Sequence, residues 1–222
     1  MKTYCVIGLG RFGTAVARKL YELGNEVLVV DENQELIQQI ANDVTHAVVA
    51  DARDEQVLKT IGVQNYDCCI VAIGDDLASS ILITLVLKGL NVPRVICKAN
   101  DEVHKKALEK IGADRVVIPE REMAAKLALN LSSSNVLDFI ELSKDYGIVE
   151  LSIPESWVGK TIREADVRAK YGVNVLALKQ ADKLQVSPAA DCTFEEGSVA
   201  VVLGTTEQIA RMQKYEARDH NK

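Results

Sequence analysis

The chain has 222 residues, 48% hydrophobic, 26% charged and 5% aromatic, with a formal net charge of −6. That length holds one large domain or two small ones with a real core, and the acidic balance argues against broad binding to phosphate backbones, so no nucleic-acid partner is expected. No apolar run reaches the roughly 18 residues of a membrane-spanning helix; the nearest, 77–87, is closed by Lys88.

The opening residues, MKTYCVIGLG, enter an apolar strand at once, without the basic region, long apolar segment and cleavage site of a signal peptide, which points to the cytoplasm. RFGTAVARKLYELG then reads as a helix closed by Gly24. The alternation continues: EVLVVD with NQELIQQIAND, HAVVAD with DEQVLKTIG, DCCIVAIG with a helix over 77–90, RVICKA with DEVHKKALEKIG, then DRVVIP. Strands that are apolar throughout predict a parallel sheet covered on both faces. The fold class over 1–118 is therefore α/β, a doubly wound, Rossmann-like sheet. Residues 119–135 read as a linker and crossover helix, EREMAAKLALNLSSS after Pro119, ending in a small polar cluster at 132–135. Beyond it, FIELS, GIVELSIP, VNVLALK, LQVSP and SVAVVLG are strand-like, while TIREADVRAKYG and TEQIARMQKYEA look helical. They predict a smaller α+β C-terminal domain over 136–218. Cys5, Cys68, Cys69, Cys97 and Cys192 show no C-x-x-C spacing. All but Cys192 fall in or beside predicted buried strands, where cysteine serves as a small apolar residue.

Gly8, Gly10 and Gly13 fit the pattern G-x-G-x-x-G between the first strand and the first helix, with Asp31 closing the second strand. In that context the pattern predicts nucleotide binding: Gly8 for the tight turn, Gly10 for close approach of a pyrophosphate, Gly13 for packing of the helix on the sheet. Asp31 would accept ribose hydroxyls, and with Glu32 next to it a 2′-phosphate is disfavoured, which argues against NADP. Later strand ends, at 50–51, 72–76 and 97–100, complete the pocket, and Lys98 would neutralise phosphate. Asp51 and Asp75 either line it or cap the following helices. Arg11 either meets a phosphate, in this subunit or a neighbour, or stands in solvent; a cation at a helix N-terminus without an anion is mildly unfavourable, which favours the phosphate. The helix over 77–90 is apolar nearly all round and is buried either within the chain or by another subunit.

Catalytic machinery does not come into view. Hydride transfer commonly needs an acid or base beside the nicotinamide. Of the three histidines, His46 begins a strand, His104 reads as a partly exposed helical residue, and His220 stands near the end. No G-x-S-x-G, H-E-x-x-H or P-loop lysine occurs. A sensor fits better than an enzyme; the alternatives are an NAD-dependent oxidoreductase and a nucleotide-binding oligomeric scaffold with another partner.

The runs YCVIGLGRFGTAVARKLYELGNEVLVVDEN, THAVVADARDE, CCIVAIGDD, VICKAND and HKKALEKIGADRVVIPEREMAAKLA resemble the RCK, or TrkA-N, domain. NVLDFIELSKDYGIVEL and VRAKYGVNVLALK resemble the RCK C-terminal, or TrkA-C, domain. One copy of each is similar to the KtrA-type regulatory subunits of Ktr potassium uptake systems. The resemblance implies a cytosolic gating subunit: dimers assembled into an octameric ring on a membrane-embedded, KtrB-like channel subunit at the inner face of the membrane. Exchange of ATP and ADP, with NAD(H) also able to bind, would switch the channel. The resemblance places Gly8, Gly10, Arg11, Phe12 and Gly13 at the phosphates, with Arg11 approaching the γ-phosphate of the adjoining subunit. It places Asp31, Glu32 and Asn33 around the ribose and Asp51 and Ala52 beside the adenine. Ile73, Gly74, Asp75, Lys98, Ala99, Asn100 and His104 would line the rest. Glu120 would hold a divalent cation, Mg²⁺ or Ca²⁺, near the phosphates; from the residues alone it reads as a first-turn helix carboxylate. The second domain would take cyclic di-AMP between two subunits, at Ile162, Arg168, Asn174, Val175 and Pro188, although Arg168 also reads as surface charge.

Overall fold

Both faces of the first strands carry apolar side chains, and both are buried. The computed structural model describes residues 1–132, 136–143, 145–181 and 183–219. In β1 (Thr3–Ile7), Cys5 and Ile7 share one core with Leu28 and Val30, and Val6 shares another with Val27 and Val29. β2 (Glu26–Asp31), β3 (His46–Val49), β4 (Cys68–Val71), β5 (Val95–Lys98) and β6 (Arg115–Val117) complete a parallel sheet in the order β3-β2-β1-β4-β5-β6. The crossovers are α1 (Arg11–Glu22), α2 (Gln34–Ile40), α3 (Glu55–Ile61), α4 (Leu77–Gly89) and α5 (Glu102–Ile111). The winding reverses between β1 and β4, which opens a crevice at the carboxyl ends of those strands.

Local chemistry sets the helix ends. Asn33, Asp54, Asp76 and Asp101 cap α2, α3, α4 and α5 by accepting backbone N–H groups of the first turn. The caps of α3 and α4 are thus not Asp51 and Asp75, which corrects that alternative. Gly62 and Gly112 end α3 and α5 in the left-handed conformation. α4 is not buried all round. Ile83, Thr84 and Leu87 face the core, whereas Leu77, Leu82 and Leu85 are 47%, 44% and 56% exposed. Cys5, Cys68, Cys69 and Cys97 are free and buried. Burial pushes the Cys68 and Cys97 thiols up to about 11, so they pack as apolar groups.

Two compact units divide the chain, Met1–Glu122 and Met123–Lys222. α6 (Pro119–Ser132) spans the division, with proline at the start of a helix, where its missing N–H is not needed. The rest of the polar cluster predicted at 132–135 lies outside the described residues. In the second unit, β7 (Val136–Glu141), β8 (Tyr146–Ser152), β9 (Asn174–Gln180), β10 (Lys183–Val186) and β11 (Val199–Thr205) form an antiparallel sheet in the order β10-β9-β11-β8-β7. Alternate residues Val149, Leu151, Ala200 and Val202 point into one core, beside Trp157 and Phe194, whose rings lie 5.1 Å apart. The single helix predicted over 161–172 is two, α7 (Ile162–Ala165) and α8 (Val167–Tyr171), because Asp166 turns left-handed at φ +50°. α9 (Thr206–Asp219) follows β11. Among the described residues, no helix is long and apolar enough to cross a membrane.

Candidate functional site

The glycine loop is built by close backbone approach. Gly8 takes φ +95°, and a Cβ there would stand 2.9 Å from Ile73 Cγ1. A Cβ on Gly13 would fall on the carbonyl oxygen of Gly8 and 3.0 Å from the Ala72 Cβ. Only a helix without a side chain at that position packs against its own approach loop. Gly10 precedes α1 with an ordinary φ of −62°, and no atom stands within 4 Å of its ideal Cβ. The space beside Gly10 is open to a ligand, and the free N–H groups of α1 face it with the positive end of the helix dipole.

Asp31 braces this loop from the neighbouring strand. Its Oδ2 accepts the Leu9 N–H at 2.6 Å and its Oδ1 accepts the Asn33 N–H at 2.8 Å. A carboxylate has about four acceptor positions, so Asp31 keeps capacity for a ligand hydroxyl. Thr14 Oγ1 donates to the Leu9 carbonyl at 2.9 Å and holds the other side of the turn.

A cavity of about 260 Å³ lies at the crevice. Of the residues read from the sequence, Gly8, Gly10, Asp31, Glu32, Asp51, Ala52, Ile73, Gly74 and Asp75 form its wall. Arg11, Phe12, Gly13, Asn33, Lys98, Ala99, Asn100, His104 and Glu120 do not. Arg11 is exposed at the first position of α1. Phe12 and Ala99 pack into the cores, and Asn33 serves α2 as its cap. Lys98 Nζ pairs with Glu120 at 2.8 Å, and that bond holds the Glu120 carboxyl below the usual range. The Asn100 amide donates to the Gly74 carbonyl at the cavity rim.

His104 is the clearest correction. It is 1% exposed, not partly exposed, and bridges two elements: Nδ1 accepts the Asn100 N–H at 3.4 Å and Nε2 lies 3.2 Å from Ser80 Oγ. An acceptor Nδ1 puts the proton on Nε2, which then donates to the serine. Burial depresses the imidazole pKa, keeping it neutral. His46 is exposed at the start of β3, and His220 lies outside the described residues.

Ala50, Ala72 and Asp76, at the strand ends expected to complete the pocket, also line it, and the wall includes Leu9, Arg53, Ser79 and Ile83, which the sequence reading missed. Asp76 accepts both the Ser79 N–H and its hydroxyl, at 3.0 and 2.6 Å, and these bonds lower the Asp76 carboxyl. Arg53 binds Asp51 through Nε and Nη2 at 2.8 Å each and Glu32 through Nη2 at 3.1 Å. The guanidinium hydrogen bond holds the Asp51 carboxyl below its ordinary value. The signal for Arg53 was its place two residues after Asp51 in DARD, at the same strand end.

In the second unit, a pocket of about 380 Å³ is lined by Ile162, Arg168, Asn174, Val175 and Pro188, together with Arg163 and Asp166. The Arg163 N–H donates to the Ala190 carbonyl at 2.9 Å, which ties α7 to the loop after Pro188.

The TrkA-N domain model matches residues 4–119 and the TrkA-C domain model residues 148–217. The Bacillus subtilis (strain 168) Ktr system potassium uptake proteins A and C are 43% and 42% identical to this chain, over 96% of it and 96% of each relative. The GsuK channel bound to NAD is similar in structure, with a TM-score of 0.54 at 25% identity, covering 98% of this chain and 39% of that chain. This chain thus spans well under half the length of that channel.

Proposed function

The chain belongs to the family that carries TrkA-N and TrkA-C domains, and from that premise we propose that it is a nucleotide-sensing regulatory subunit of a potassium uptake system. The observation that carries the proposal is the cradle of Gly8, Gly10 and Gly13 at the switch point, braced by Asp31 and open beside Gly10. Phosphates sit on the α1 N-terminus, the ribose meets Asp31 and Glu32, and the base extends toward Asp51 and Ala52. The subunit binds without turnover: the difference in ATP and ADP affinity between two conformations of an assembly shifts their populations and so the transporter's gate. NAD(H) suits the same cradle, and the structurally similar GsuK channel is one that binds NAD.

The finer reading places the chain in the cytoplasm as dimers in an octameric ring, docked on a membrane-embedded, KtrB-like potassium channel subunit. The exposed face of α4 at Leu77, Leu82 and Leu85 suits burial between subunits. Arg11 reaches the γ-phosphate of the adjoining subunit's nucleotide. Glu120 contributes one carboxylate to a Mg²⁺ or Ca²⁺ ion whose remaining ligands are phosphate and water oxygens. The pocket at Arg168 takes cyclic di-AMP.

The test is equilibrium binding of ATP, ADP, NAD⁺ and NADH to wild type and Arg11→Ala, with assembly size followed alongside. ATP and ADP should compete for one site, and the variant should lose about tenfold or more for ATP while keeping ADP, the size expected of a charge-assisted bond. Binding of NAD(H) alone, indifferent to Arg11, would favour a redox-sensing role.

A further inference from the structure

We infer that Arg53 stacks its guanidinium on the base of the bound nucleotide and thereby sets the site's affinity for nucleotides over baseless phosphates. This rests on the reading of the cradle as a nucleotide site. Three observations lead to it.

The first is place. The strands run β3-β2-β1 across the sheet, about 4.8 Å apart. A nucleotide anchored by phosphate at the loop after β1 and by ribose at the end of β2 carries its base to the end of β3. Arg53 follows that end and lines the cavity there.

The second is charge. Arg53 is held by two carboxylates, Asp51 and Glu32. The cluster carries a net charge of −1, one cation against two anions, and repels phosphate. It suits a neutral group instead.

The third is shape. Three N–H···O bonds fix the guanidinium in the plane of the Asp51 carboxylate and occupy its Nε and Nη2 edges. What remains for a ligand is the Nη1 edge and the flat faces. A guanidinium pinned in this way by a carboxylate is a preorganised stacking surface for a purine. Ala52 and Ile73 supply apolar wall to the same cavity.

The experiment measures ADP and ribose 5-diphosphate, the same molecule without its base, against wild type, Arg53→Ala and Arg53→Lys by titration calorimetry. Both variants should bind ADP about tenfold more weakly, the size of one base stack. Ribose 5-diphosphate should change by less than about twofold. The arginine is an exposed ion-pair residue, so both variants should fold as wild type does. Lysine restoring ADP affinity would assign the effect to charge and overturn the stack. Equal losses for both ligands would assign it to uncovered Asp51 and Glu32 repelling phosphate, and would overturn it too. Wild-type affinity for ADP in Arg53→Ala would sink this inference alone. A wild-type chain that binds neither ligand would sink the nucleotide reading and this inference with it.

Discussion

The charged side chains on the wall of the first cavity are Asp31, Glu32, Asp51, Asp75 and Asp76 against Arg53; those on the wall of the second are Arg163 and Arg168 against Asp166. A mainly acidic wall would be a poor place for a phosphate if side chains did the binding. On the proposed reading, the backbone of the first cavity does it instead. α1 has 12 residues and presents free N–H groups and a dipole at Gly10, which leaves the carboxylates for the proposed ribose contacts and for fixing Arg53. The second pocket has no such resource, because α7 and α8 have 4 and 5 residues. An anion there must be met by arginine side chains. The two sites should therefore fail differently, the first when atoms are added to its backbone and the second when side chains are removed.

The largest effect expected is at Gly13. In Gly13→Ala the new methyl meets the backbone of Gly8, so α1 must lift from the loop. Overpacking of this kind costs about 3 kcal/mol, and for a unit of this size the melting temperature should fall by about 10 °C, with nucleotide binding lost. Gly10→Ala is the partner measurement. Its Cβ meets open space, so calorimetry should show only the cost of about 1 kcal/mol or less of an alanine cap, while ADP affinity drops. Equal melting of Gly13→Ala and wild type would mean that close packing is not what the third glycine provides.

Next comes Arg168→Ala. If side-chain cations hold the ligand of the second pocket, cyclic di-AMP affinity should fall about tenfold or more, as when a charged hydrogen bond is removed. ADP binding at the first cavity should stay as it is. An unchanged cyclic di-AMP affinity would return Arg168 to surface charge and break the contrast between the sites.

The smallest effect is a pH dependence at His104. Its pKa is depressed by burial in the folded chain, so below about 6.5 the unfolded chain binds a proton that the folded one refuses. Stability contributed by the neutral imidazole is present above that value and is lost as pH falls toward the folded pKa. Thermal melts from pH 7.5 to 5 should show wild type losing stability more steeply than His104→Gln, which keeps polar contacts but does not titrate. Parallel slopes would show that His104 does not govern this window.

The order of strands and helices, the parallel sheet and the cradle were legible because each depends on residues close in sequence. Apolar runs, glycine spacing and an aspartate at a strand end are local statements about backbone geometry. The expected residues that line the cavity all sit at the carboxyl ends of β1, β2, β3 and β4, where the topology rule places ligands. Asn33, Lys98, Asn100 and His104 were near enough in sequence to strand ends to suggest the same role. In the structure Asn33 turns to its helix, Lys98 to Glu120 and His104 to Ser80, so their side chains do not line the cavity.

What the sequence determined by itself is the architecture and the glycine loop, since hydrophobic period and glycine conformation act over a few residues. The tertiary structure alone decided that His104 is buried between α4 and α5, that α4 keeps an apolar face outward, and that Arg53 joins Glu32 to Asp51 at the cavity mouth. Those outcomes depend on pairs of groups brought together from different strands and helices. The energy of such a pair is set by distance and desolvation in space, which spacing along the chain does not encode.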